Sequence, residues 1–169
     1  MILVHEISAL KRLKYLSNKF AEFSIRSLVL EKNHLLDMST LVVSAEEDYK
    51  GREQIVNLAY LLNHSEEEAN VMLLQFYTEL PVELEATQIP LVEALVSFIN
   101  TRMPMGHFGF QNCKLHYRYV MVDSKASKYH ALQTVETFMV YVSILNHFHE
   151  AIESVIQGKM TLATLKANF

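Results

Sequence analysis

Residues that break or turn a chain are scarce in this sequence. Its 169 residues include three prolines and four glycines, so long uninterrupted elements are expected, and any place where breakers cluster stands out. Cysteine is rarer still. Cys113 is alone, which excludes an intrachain disulfide, and the opening MILVHEISALKRLK lacks the charged-then-apolar order of a signal peptide. A reducing cytoplasm is the expected compartment. Unbroken apolar runs fall far short of the ~20 residues that a bilayer-spanning helix requires, so no membrane segment is expected. Basic clusters are missing as well: the net charge is −4, and the lysines and arginines are scattered. That pattern leaves no electrostatic footprint for nucleic acid or an anionic membrane. Nor is there a G-x-G-x-x-G, P-loop, G-x-S-x-G or paired-cysteine motif, so no enzyme class is indicated and no cofactor is expected.

Apolar side chains are plentiful. Half of the residues are hydrophobic and 20% are charged, which excludes disorder and is rich for an isolated monomer. A self-association face is implied. The length suits one domain, residues 1–169, whose single core removes roughly 70% of the unfolded chain's surface from water.

Residues 6–22 place Ile7, Leu10, Leu13 (or Lys14), Leu16 and Phe20 on a 3.6-residue period, the mark of an amphipathic helix. Residues 23–37 read either as a short strand, SIRSLVLE, or as a helical turn, LEKNHLLDM. Three strands are expected next, at 40–44, 54–62 and 71–80, joined by the polar loop AEEDYKGRE and the charged turn NHSEEEAN, which together form an antiparallel meander. Val56, Leu58, Tyr60 and Leu62 share one side of the second strand, and Met72, Leu74, Phe76 and Leu80 one side of the third. One sheet face is therefore apolar and must be covered by helices.

Pro81 is expected to end the third strand, while Thr87 and Pro90 open a second helix with the stripe Leu91, Leu95, Phe98 and Ile99. This helix is expected to run to about Arg102 and to be stopped by Pro104. HFGF and KLHYRYVMV then pair around Asn112 and Cys113, setting Phe110 opposite Leu115, Gly109 opposite His116 and Phe108 opposite Tyr117. That register gathers Phe108, Phe110, Leu115, Tyr117, Tyr119 and Met121 on one face and His107, Gly109, His116 and Arg118 on the other. A long helix follows from about Lys128 to Gly158. Its Leu132, Val135, Phe138 (or Met139), Val142, Leu145, His149, Ile152 and Ile156 form one stripe, and FMVYVSIL at 138–145 is apolar nearly all round. One side is expected to cover the sheet and the other to meet the first helix or a second subunit, with Phe138, Tyr141, Val142 and Leu145 as the contact of a homodimer.

The resulting order, α-β-β-β-α-β-β-α with an antiparallel five-stranded sheet and three helices, is that of the type III secretion chaperone-like fold. The segment INTRMPMGHFGFQNCKLHYRYVM resembles the YbjN family at Asn100, Pro104, Gly106, Phe108 and Arg118, and HALQTVETFMVYVSILNHFHEAIESVIQG resembles its closing helix. The likeness spans residues 40–160. It implies a small acidic homodimer that holds an extended segment of a protein partner, or a sensory or stress regulator, and it brings no catalytic residues.

Several side chains have a chemistry to weigh. His147 and His149 are two apart and point about 200° from each other on a helix, so they do not share a metal. His107, His116 and Arg118 form a better cluster, able to receive an anion or carboxylate, with Phe108 beside it in sequence. Cys113 has Lys114 and His116 nearby but no positioned base. Glu66, Glu67 and Glu68 read as a solubilising loop. Met72, Met121 and Met139 fit core positions, and Met103 and Met105 flank Pro104, where flexible thioethers suit an adaptable groove. The expected function is a non-enzymatic protein-binding module, chaperone- or adaptor-like. The alternative is a sensor of a small anionic ligand at Arg118, His116 and His107.

Overall fold

The computed structural model describes residues 2–61, 71–124 and 131–168, with side chains from residue 5 onward. The elements run α1 (Ile2–Glu22), β1 (Ser27–Leu30), β2 (Thr40–Ser44), β3 (Ile55–Leu61), β4 (Val71–Glu83), α2 (Ile89–Asn100), β5 (His107–Gln111), β6 (Lys114–Ser124), α3 (Ala131–Ile156) and α4 (Leu162–Asn168). Among the described residues the strands form one antiparallel six-stranded sheet in the order β1-β2-β3-β4-β6-β5. The class is α+β as expected, with a sixth strand and a fourth helix in place of five and three. The added strand, β1, resolves the ambiguous stretch 23–37 in favour of a strand, and Asn33 caps the turn that follows by accepting the Leu35 N–H at 2.8 Å. The expected charged turn NHSEEEAN with Glu66, Glu67 and Glu68, the expected strand end at Leu62 and the expected helix start at Lys128 lie outside the described residues.

Alternation decides which side of the sheet is buried. Leu41 and Val43 on β2, Val56, Leu58 and Tyr60 on β3, and Met72, Leu74, Phe76, Thr78, Leu80 and Val82 on β4 all point inward and are buried. α1 and α3 cover them and also pack on each other. α1 buries Ala9, Leu13, Leu16 and Phe20, so Leu13 rather than Lys14 faces the core, and Ile7 is exposed. Phe20 meets Phe138 of α3 edge to face at 5.0 Å. The second side of α3 is thus met by α1. Phe138, Tyr141, Val142 and Leu145, expected to form a dimer contact, are all buried within a single chain.

β4 does not stop at Pro81 but continues to Glu83, with a shift of register against β6 between Glu79 and Glu83. The described pairing of β3 with β4 ends at Tyr77. Pro81 therefore sits at a bulge beyond its neighbour's reach, where its missing N–H interrupts no ladder. α2 ends at Asn100, short of Arg102 and of Pro104. It buries Val92, Leu95, Val96 and Ile99, leaving Leu91 and Phe98 half-buried.

The hairpin register is the expected one: Phe108 pairs with Tyr117, Gly109 with His116 and Phe110 with Leu115. Asn112 (φ 51) and Cys113 (φ 61) are both left-handed, as a two-residue type I′ turn requires. The joint before it is locked by Asn100, whose Oδ1 accepts the Phe108 N–H at 2.8 Å while its Nδ2 donates to the Phe108 carbonyl at 2.9 Å. Tyr117 Oη donates to the Met105 carbonyl at 2.7 Å. Gly106 is left-handed (φ +70), and a Cβ there would lie 2.7 Å from the Arg118 carbonyl oxygen and 2.8 Å from the Tyr117 ring. Gly106→Ala should therefore destabilise the fold by roughly 2–4 kcal/mol, the sum of left-handed strain and overpacking. Asn100→Ala should cost about 2 kcal/mol through two orphaned backbone groups. Urea denaturation measures both, and a loss below about 0.5 kcal/mol in either would show that the joint is not the lock described.

Candidate functional site

The sheet face opposite the helices carries no helix among the described residues, and its side chains are unusually apolar for a solvated surface. Leu61, Leu73 and Val122 stand side by side across β3, β4 and β6. Val122 is 65% exposed, and Leu28 on β1 is 61% exposed. The next complete row runs Leu28, Val42, Asn57, Tyr77, Arg118, His107 across all six strands. No carboxylate interrupts these rows. Glu79, further along β4, is paired with Lys114 at 2.6 Å, and Glu53, ahead of β3, with Arg26 at 3.6 Å.

His107, His116 and Arg118 meet at one corner of this face, as the register requires. Arg118 Nε donates to Gln75 Oε1 at 2.5 Å. The His116 ring stacks on Tyr77 at 5.3 Å and lies over Gly109, where a Cβ would sit 2.8 Å from its Nε2. The missing side chain at Gly109 is thus what lets the imidazole lie flat. Burial, then the nearby His107 and Arg118, push the His116 pKa below its ordinary value, so the ring is neutral at pH 7 with a buried, unpartnered Nδ1.

Phe108 does not join this corner. It is 1% exposed on the other face, stacked on Tyr117 at 4.8 Å and edge-on to Phe148 at 6.3 Å, so it holds the core and offers nothing to a ligand. Cys113 is exposed in the hairpin turn, and its neighbour Lys114 is drawn to Glu79. His147 is exposed while His149 is buried, which is the divergence their spacing requires. Among the described residues no three His, Cys, Asp or Glu side chains are placed to hold a metal. Met72 is buried, and Met103, Met105 and Met121 pack against the core, but Met139 is exposed on α3.

The sequence reading missed a buried ionic knot. Glu153 of α3 is 2% exposed, and it accepts from Arg52 Nη2 at 2.7 Å and also from Lys50 Nζ and Tyr49 Oη, all three in the β2–β3 loop. Asp48 in the same loop accepts from Arg52 Nε at 2.6 Å and from the Lys50 and Arg52 backbone N–H groups. His149, one turn before Glu153, lies against Asp48, Arg52 and Tyr49. Burial alone would raise the Glu153 pKa; hydrogen bonds from Arg52, Lys50 and Tyr49 outweigh it and hold the group at about 2, below its ordinary 4.5. Burial, helped by Arg52 and Lys50, keeps His149 below its ordinary value despite the carboxylates. Chemically the knot is a clamp: the Glu153 and Asp48 carboxylates are paired with Lys50 and Arg52, which fastens the loop to α3, while His149 Nδ1 is buried without a hydrogen-bond partner. Its signal in the sequence was an acid, Glu153, four residues after a histidine on an otherwise apolar helix stripe, which demands a cation from elsewhere.

No protein-family model matches the chain, and comparison with curated proteins yields no similar sequence.

Two pH effects follow, one from the buried histidines of the corner and the knot and one from the knot's Glu153. His149 and His116 bind protons more readily unfolded than folded, so stability should begin to fall as pH drops through about 6.5. Glu153 contributes about 3 kcal/mol that is present above pH 4.5 and lost as pH falls toward 2. Denaturation across this range should show both losses, with His149→Gln flattening the first and Glu153→Gln the second. A wild-type profile that stays flat from pH 7 to pH 3 would contradict the clamp.

Proposed function

We propose that this chain is a non-enzymatic protein-binding module, chaperone- or adaptor-like, that works through the outer side of its sheet. One observation carries the reading: an uncovered face bearing Leu28, Leu61, Leu73 and Val122 with no paired nucleophile and base beside it. Exposed contiguous apolar surface on a folded domain marks an interaction site. The resemblance to the YbjN family and the secretion-chaperone-like fold supports the same reading, and a cytoplasmic homodimer is part of it. The broad face favours another folded surface over a small molecule, which needs a concave site.

A second reading rests on the corner of His107, His116 and Arg118, where the Arg118 guanidinium would bind an anionic ligand with the histidines beside it. Thermal shift against a panel of anionic metabolites separates the two, because stabilisation that vanishes in Arg118→Ala belongs to the ligand reading alone. For the leading reading, tagged protein is captured from a lysate of its source, as wild type and as a Leu73→Glu, Val122→Glu variant. A near-stoichiometric protein partner held by the wild type and lost by the variant is the expected result. Recovery of the same proteins with both would remove the sheet face as the binding surface.

A further inference from the structure

We infer that the Asn100 side chain is an edge cap: it stands where a further strand would pair with β5 and keeps the chain from adding one there. This role is separate from the open sheet face and does not depend on what that face binds. Three observations carry it.

The first is direction. Gln111 and Lys114 flank the two-residue turn and form the hydrogen-bonded pair that closes the hairpin, so Gln111, Gly109 and His107 turn their backbone groups toward β6. Phe108 and Phe110 turn theirs the other way. Because β5 is the last strand in the sheet order, that other way is the sheet's free edge. Antiparallel pairing engages both the N–H and the C=O of alternate residues, so a strand arriving at β5 would have Phe108 and Phe110 to bond.

The second is occupancy. Asn100 Oδ1 accepts the Phe108 N–H at 2.8 Å and Asn100 Nδ2 donates to the Phe108 carbonyl at 2.9 Å, the same two bonds that a residue of a neighbouring strand would make. Asn100 is the last residue of α2 and follows buried Ile99, so the packing of the helix aims the amide at the edge. Within β5 only Phe110 is then left to a newcomer. Bonds to one residue set no register and do not offset the entropy of ordering a strand.

The third is need. Edge strands are ordinarily guarded by shortness, charge, proline or a bulge. β1, at the opposite edge, is four residues long and is followed by Glu31 and Lys32, which pair with Lys14 and Glu6 of α1 at 2.6 and 2.5 Å. β5 reads HFGFQ, with no lysine, acid or proline, and its pairing with β6 is regular. An aromatic strand without charge is the kind of edge that recruits other strands. Asn100 supplies the guard that the sequence of β5 omits.

Sedimentation velocity of the full chain tests this. Asn100→Ala uncovers Phe108, and the variant should form species heavier than wild type at equal concentration, with an apparent association constant at least about tenfold higher. Adding Gln111→Lys, at an exposed position of β5, should return the wild-type distribution by placing a charge on the edge. Leu95→Ala, in the core side of α2, is destabilised by a cavity but keeps the cap, and should sediment as wild type does. In wild type itself the Phe108 amide should exchange with solvent at least about tenfold more slowly than the Phe110 amide, a reading that needs no variant to fold. The inference is overturned by equal exchange at the two amides, by Asn100→Ala sedimenting as wild type, by Leu95→Ala associating as strongly, or by heavy species that persist with Gln111→Lys.

Discussion

Burial on one side of the sheet is the constraint from which the rest of this structure follows. Inward residues of β2, β3, β4 and β6 are almost all large and apolar, and at the centre Tyr117, Tyr141 and Phe108 form a continuous stack, with ring centres 4.4 Å apart between the two tyrosines and 4.8 Å between Tyr117 and Phe108. Tyr141 also donates to the Tyr117 carbonyl at 2.8 Å, so α3 is pinned to β6 by stacking and by a hydrogen bond at once. Aromatic pairs in such geometry add to the area they bury, and a one-residue register slip of β5 or β6 would turn Phe108 or Tyr117 to the outer face. α1, α2 and α3 are accordingly committed to the inner side. The outer side carries no helix among the described residues, and the proposed protein-binding role rests on its apolar rows.

The ionic knot performs a different task. The β2–β3 loop is polar and would otherwise be loosely attached, yet Asp48, Lys50 and Arg52 seat it against Glu153 and His149 about a hundred residues away. Such a cluster contributes less net stability than its close contacts suggest, because each buried charge first loses its water. Its effect is chiefly to specify one position for the loop, since any other leaves Glu153 buried without a cation. The adjoining end of β3 is thereby fixed, and with it the placing of Asn57 and Ile55 on the outer face.

Much of the fold was legible in the sequence where local alternation and turn chemistry agree. The β5–β6 register followed from Phe108, Phe110, Leu115 and Tyr117 around a two-residue turn, and the grouping of His107, His116 and Arg118 came with it. The one-sided sheet followed from the runs on β3 and β4. Other features depend on partners far away in the chain. β1 is four residues long, and the alternation in SIRSLVLE is too short to exclude a helical turn until β2 lies beside it. Pro81 reads as a strand end unless the shorter reach of β3 is known. The apolar stripe containing Phe138, Tyr141, Val142 and Leu145 shows that something covers α3, but periodicity cannot say whether the cover is α1 or a second subunit. Phe108 was grouped with a polar corner by proximity in sequence, although strand neighbours point to opposite faces. The knot escaped because its acid and its cations lie on elements whose docking no local signal announces.

We propose that the outer sheet face is a contact surface in the working protein and not a solvated one. Carbene footprinting of the native chain, alone and then in a lysate of its source, reads this side chain by side chain. Labelling at Leu28, Leu73 and Val122 should fall in the lysate while Leu132, Met139 and Val140 on α3 keep theirs. Equal labelling of the sheet face in both, or protection that appears on α3 instead, would contradict the account.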